Sequence, residues 1–146
     1  MREILFKAKQ IDNGEWIEGS LIDLDIDSGY CYIVQPYKKA SILPIIFLIT
    51  DRMKLVDPET LCQFTGLFDK NGNRIWENDI CDRKEKYPEV VKMTNGDWTL
   101  DYSYAIGRDY GNSYSNLRFY VNERKCVEVI GNIFDNPELL QEESNE

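Results

Sequence analysis

The sequence predicts a mainly β protein with a short C-terminal helix. It is arranged as an N-terminal β-meander over residues 1–60 and a compact barrel-type unit over residues 61–146, and the two halves can share one core. Three observations carry this. The apolar residues recur mostly with period two, which is the signature of half-buried strands. Asn-Gly dipeptides at 13–14, 71–72 and 95–96 sit between such runs, where a hairpin turn needs residues that tolerate positive φ. Pro36, Pro44 and Pro58 exclude a long helix across the middle of the chain.

Taken in order, Ile4, Phe6 and Ala8 alternate with Leu5, Lys7 and Lys9 as a first strand. Asp12-Asn13-Gly14 is a turn, and Trp16 to Leu24 reads as the second strand. The run from Leu21 to Asp27 alternates strictly, setting Leu24 and Ile26 on the opposite side from Asp23, Asp25 and Asp27. Asp27-Ser28-Gly29 turns the chain into a third strand over Tyr30 to Val34. Ile45 to Ile49 has the composition of a buried strand, and residues 51–57 connect it to the second half.

That half opens with a strand over Thr60 to Thr65. Asn71-Gly72 then predicts a type I′ turn, with φ > 0 at both positions. Asp79-Ile80-Cys81-Asp82 resembles the entry strand of small SH3-like barrels. Val90 to Met93, Asn95-Gly96 and Trp98 to Tyr102 form a second hairpin. Residues 103–116, rich in Tyr, Ser, Gly and Asn, read as a long surface loop. Leu117 to Val121 and Cys126 to Ile130 follow as strands. Asn136 as N-cap, Pro137 at the first helical position and Glu138 in the first turn predict a helix from about Pro137 to about Glu143.

Composition narrows the function classes. The chain has 146 residues, 42% of them hydrophobic, and no run long enough to span a membrane. Charges at Arg2, Glu3, Lys7 and Lys9 interrupt any N-terminal apolar region, so a cytoplasmic protein is expected. The net charge of −9 disfavours general binding to phosphate backbones and fits a soluble surface. Cys31, Cys62, Cys81 and Cys126 show no CxxC pairing and read as separate buried thiols. Histidine is absent, which removes the commonest general base and the usual zinc ligand, and no phosphate-binding loop is present. No cofactor is expected.

Three blocks of sequence name a family. Arg2 to Lys9 with Trp16-Ile17-Glu18-Gly19-Ser20-Leu21 form the first. Gln63 to Cys81, with Gln63-Phe64-Thr65-Gly66-Leu67, Asp69 to Gly72 and Ile75-Trp76-Glu77-Asn78-Asp79-Ile80 inside it, is the second. Val129-Ile130-Gly131-Asn132-Ile133-Phe134-Asp135-Asn136-Pro137-Glu138-Leu139-Leu140 forms the third. Together they resemble the YopX proteins of phages and prophages. Asn78 stands where that pattern usually has Gly, and Asn tolerates the left-handed conformation. The resemblance implies a phage or prophage accessory protein that forms a homo-oligomer, and it names no activity.

Within these blocks, Gln63, Thr65 and Gly66 read as a structural corner, and Asp79 as a turn cap. Glu77 with Asp79 is the carboxylate pair that metal-dependent hydrolysis would use. Asp69, Asn71 and Asn73, and likewise the series Asp23, Asp25, Asp27, lack the glycine and glutamate positions of a calcium loop. Gly131, Asn132, Asn136 and Pro137 mark the C-terminal turn. The remaining signal is aromatic. Tyr102, Tyr104, Tyr110, Tyr114 and Tyr120, with Phe119, interleave with Arg108, Arg118 and Arg124, a pattern found at protein interfaces and at single-stranded nucleic-acid sites. The expected function is therefore a non-catalytic interaction module, binding itself or a host or phage protein. The alternatives are a single-stranded nucleic-acid module using residues 102–124 and a carboxylate hydrolase.

Overall fold

The computed structural model describes residues 3–36, 52–101, 103 and 114–141. The expected strand at Ile45–Ile49, the side chains of Tyr102, Tyr104, Arg108, Tyr110 and Tyr114, and the acidic tail lie outside the described residues. The chain is mainly β and divides into two compact units, Met1–Phe64 and Thr65–Glu146. The division falls inside the strand Cys62–Phe68, after residue 64 and not at the expected residue 60.

The first unit holds β1 (Phe6–Lys9), β2 (Trp16–Asp25), β3 (Tyr30–Val34), β4 (Met53–Leu55) and the start of β5 (Cys62–Phe68), in the order β4-β3-β2-β1-β5. Antiparallel pairing runs Lys9↔Trp16 to Phe6↔Gly19 between β1 and β2, and Phe6↔Gln63 between β1 and β5. The β1–β2 connection closes as expected: Gly14 has φ +70, and the Asn13 side chain accepts the Glu15 N–H at 2.9 Å. Ala8, Ile17, Cys31, Ile33 and Val56 form the core. Gly19 belongs in the middle of β2 because nothing larger fits: a Cβ there would lie 2.1 Å from the Val34 carbonyl oxygen.

The strict alternation expected through Ile26 breaks early. A register shift between Asp23 and Asp25 leaves Leu24 67% exposed, and Ile26–Ser28 wind into a 3₁₀ turn. Asp23 supplies the reason, since its Oδ1 accepts the Ile26 N–H at 2.9 Å and pulls the chain out of the ladder. Two of the aspartates read as a strand face therefore flank a bulge.

In the second unit β5 runs on to pair with β6 (Arg74–Trp76). A five-stranded sheet follows in the order β10-β9-β8-β7-β11, built from β7 (Asp79–Asp82), β8 (Glu89–Thr94), β9 (Asp97–Asp101), β10 (Tyr114–Asn116) and β11 (Glu128–Asn132). This sheet is open, with β10 and β11 at its ends, so the expected barrel closure is not formed among the described residues. The β8–β9 hairpin is as read: Asn95 and Gly96 have φ +53 and +84, the pair that a type I′ turn requires. The core comprises Ile75, Cys81, Val91, Trp98, Leu100, Leu117 and Val127. Cys31, Cys62 and Cys81 are buried free thiols. Burial, reinforced by nearby carboxylates, pushes the Cys31 and Cys81 thiols up and away from thiolate chemistry.

Three local expectations are corrected here. Residues 114–116 of the expected loop are the edge strand β10, paired with β9 from Tyr114↔Asp101 to Asn116↔Thr99. Leu117–Asn122 is a helix, α1, and not a strand. The Asn116 side chain caps it by accepting the Phe119 N–H at 2.9 Å, and Leu117, Tyr120 and Val121 face the core at helical spacing. The C-terminal helix is a 3₁₀ turn over Pro137–Leu140, because the Asn136 side chain is already engaged elsewhere and does not cap it. Its Oδ1 accepts the Asn132 N–H at 3.2 Å.

Candidate interaction surface

The distinctive carboxylates of the central block act on backbone. Asp69 is 6% exposed, and its two oxygens accept the N–H groups of Asn71 and Asn73, each at 2.9 Å, and of Val129 at 3.0 Å. These bonds reshape the turn. Only Gly72 has positive φ, and its N–H donates to the Asp69 carbonyl at 3.0 Å, so the expected type I′ turn is replaced by a longer turn with a left-handed glycine. Asp69 also ties this turn to β11. The side chains of Asn71 and Glu128 add a link at 3.3 Å.

Burial opposes ionisation of Asp69, yet the N–H donors from Val129, Asn73 and Asn71 outweigh it and hold the carboxyl below its ordinary value. The folded state therefore releases this proton more readily than the unfolded chain does. The stabilisation is complete above about pH 4 and is lost as pH falls through the folded value. Asp69→Ala is expected to cost about 2–3 kcal/mol, by orphaning these donors, and to flatten the acid limb of a denaturation-against-pH curve.

Asp79 is 3% exposed, and its Oδ2 accepts the Trp76 N–H at 2.8 Å, which is the turn cap expected from sequence. Asn78 adopts φ +71 between them. Its N–H donates to the Val91 carbonyl at 2.9 Å, its carbonyl accepts the Ile133 N–H at 3.1 Å, and its Oδ1 accepts from Lys92 Nζ at 2.7 Å. Glu77 is half-buried beside them. Thr65 Oγ1 donates to the Ile75 carbonyl at 2.7 Å, and Gly66 takes φ +84. Gln63 pairs with Phe6. In the third block the Asn132 Oδ1 accepts the N–H groups of Phe134 and Asp135, and Gly131 is required because a Cβ would strike the Asn136 side chain at 2.6 Å. Pro137 opens the terminal 3₁₀ turn.

A different cluster was not legible in the sequence. Glu89, 1% exposed at the start of β8, receives a forked contact from Arg83, at 2.6 Å from Nε and 3.2 Å from Nη2. Arg83 also donates to Glu85 at 3.0 Å and to Ser115 Oγ at 3.2 Å, and its guanidinium lies 4.1 Å from the centre of the Tyr120 ring. One side chain thus fastens β8, β10 and α1. Burial is the largest influence on Glu89 and pushes its carboxyl up despite Arg83. The Glu89 hydrogen bond overcomes burial at Arg83 and holds that guanidinium charged. The available signal was Glu89 itself, a charge on the same strand face as the core residue Val91.

On the outer side of α1, Phe119 is 42% exposed, edge-on to Tyr120 with centroids 5.1 Å apart, and the Arg124 guanidinium stands 5.6 Å from the Phe119 ring. Arg118 and Arg124 are exposed. Of the residues expected to form an interaction surface, Arg118 and Tyr120 both fall on this helix but on opposite faces: Arg118 is exposed, while Tyr120 packs against the core.

Comparison with known proteins decides the family. The YopX protein model matches residues 5–141. The chain belongs to the YopX family. The YopX match covers the second and third sequence blocks and the first from Leu5 onward, so the hydrogen bonds of Asp69, Asp79 and Asn132 describe what the second and third blocks do in this member. The crystal structure of protein EF1440 from Enterococcus faecalis is similar to this YopX chain, with a TM-score of 0.55 and 22% identity over 96% of this chain and 99% of that one. That likeness speaks to fold alone. No curated protein matches the chain. Among the described residues, no helix of this YopX protein is long and apolar enough to cross a membrane.

Proposed function

We propose that the chain is a non-catalytic, self-associating accessory protein of a phage or prophage, working in the cytoplasm through protein–protein contacts made by α1. The observation that carries this reading is the exposed Phe119–Arg124 pair, Phe119 on a short helix and Arg124 just past its C-terminal end, the inner side of that helix being fastened by Arg83 and Glu89. Exposed aromatic and arginine side chains on a preorganised element make effective contact residues, because little rotamer freedom remains to be lost on binding. The central carboxylates support the same reading, since Asp69 and Asp79 are buried and occupied by backbone donors, which argues against hydrolysis at Glu77 and Asp79.

Light scattering across a concentration series tests the proposal. Wild-type protein should gain mass with concentration, and the double variant Phe119→Ala, Arg124→Ala should stay monomeric with an unchanged melting temperature. Equal association by both proteins would sink the assignment to α1. The guanidinium–aromatic stacking also favours a second reading, binding of single-stranded nucleic acid, which the net charge of −9 opposes. Absence of any fluorescence anisotropy change with labelled oligonucleotides at ~10 μM protein and low salt ends that alternative.

A further inference from the structure

The three Asn-Gly dipeptides look alike in sequence and differ in what the fold does with them. At Asn13 the side-chain Oδ1 accepts the Glu15 N–H at 2.9 Å, and the Gly14 N–H donates to the Gln10 carbonyl at 2.9 Å. At Asn71 the side-chain Nδ2 donates to Glu128 at 3.3 Å, and the Gly72 N–H donates to the Asp69 carbonyl at 3.0 Å. Asn95 and Gly96 form the exposed tip of the β8–β9 hairpin, and neither the Asn95 side chain nor the Gly96 N–H has a hydrogen-bond partner among the described residues. We propose that Asn95-Gly96 is a site of spontaneous backbone-directed modification, the one of these three where the asparagine amide is converted to aspartate and isoaspartate in the folded protein.

The chemistry balances within the chain plus water. The Gly96 nitrogen, on losing its proton, forms a bond to Asn95 Cγ. The Cγ–Nδ2 bond breaks, Nδ2 leaves as ammonia, and a five-membered succinimide ring remains. Water opens the ring at either carbonyl, giving aspartate or isoaspartate. Gly96 presents no side chain to obstruct the ring. At the other two sites the attacking N–H and the side-chain amide are both held by hydrogen bonds that must open first, and breaking two such bonds slows closure on the order of tenfold or more. The isoaspartate product adds a methylene to the main chain between Thr94 and Asp97, the last pair of the β8–β9 ladder, where the turn has no slack.

Peptide mapping by mass spectrometry tests this on the full chain. Folded protein is held at mildly alkaline pH and sampled over time, in parallel with protein in concentrated urea. The expected result is conversion on the order of tenfold faster at Asn95 than at Asn13 or Asn71 in the folded protein, with three similar rates in urea. Similar rates at the three sites in the folded protein, or Asn95 reacting slowest, would overturn the proposal. Selectivity that persists unchanged in urea would also overturn it, by assigning the preference to local sequence and not to the fold.

Discussion

Glu89→Ala is expected to destabilise the second unit by about 3 kcal/mol, the low end for breaking a buried pair, because the exposed Glu85 still meets Arg83 at 3.0 Å. Arg83 would keep its guanidinium, with only 8% of its side chain exposed, and would lose both contacts of the fork. The stack on Tyr120 and the bond to Ser115 hold it in place, so it has no cheap route to solvent. Urea denaturation would read the loss directly. Removing both charges together, as Arg83→Met with Glu89→Leu, should cost less than Glu89→Ala alone, because an apolar pair of similar volume leaves nothing unpaired. A double substitution costing as much as the sum of the singles would contradict the pairing.

The pH dependence carries a sign that separates this pair from the turn. Burial raises the Glu89 carboxyl, so the folded state binds its proton more tightly than the unfolded chain does. The stability contributed by Glu89 therefore declines as pH rises through the interval from the ordinary glutamate value of 4.5 to the raised one, and stays level above it. Asp69 has the opposite slope below about pH 4. Glu89→Gln should remove the first slope and leave the second.

Gly19→Ala should destabilise the first unit by about 3 kcal/mol, at the upper end for overpacking. The intruding Cβ meets backbone, 2.1 Å from the Val34 oxygen and 2.7 Å from its carbonyl carbon, and backbone in a paired strand has no alternative rotamer. β2 or β3 would have to move, disturbing the pairs Ser20↔Val34 and Leu21↔Ile33. Thermal denaturation checks it, with Gly14→Ala as a contrast, where a Cβ meets nothing within 4 Å and the strain comes only from φ +70. A Gly19→Ala variant as stable as wild type would mean that β2 and β3 do not approach as described.

The sequence was most legible where one residue's own backbone preference decides the structure. Asn95-Gly96 forms the turn its dipeptide favours, and Asp79 caps the backbone of Trp76, three residues earlier. It was less legible where two local solutions compete. Leu117, Phe119 and Val121 satisfy a period of two, while Leu117, Tyr120 and Val121 satisfy a helix, and the Asn116 cap tips the balance. At Asn71-Gly72 the dipeptide alone favoured a type I′ turn, and the Asp69 carboxylate two residues earlier rewrote it. It was illegible where the partners are distant or nondescript. Neither Arg83 in its loop nor the open edges β10 and β11 leave a periodic trace, so the ion pair was missed and a closed barrel was expected in place of an open sheet. The candidate surface was readable as a composition of aromatics and arginines, while the helix that displays Phe119, with Arg124 just past its end, was not.

The central claim is that the three sequence blocks hold the scaffold while the α1 face makes the contacts. Amide hydrogen exchange followed by mass spectrometry over a protein-concentration series tests both halves at once. The account predicts that peptides covering 69–73, 76–79 and 131–136 are protected equally at every concentration, while protection of 115–124 rises as concentration rises. Concentration-independent exchange across 115–124, or a rise confined to the 69–79 segment, would contradict it.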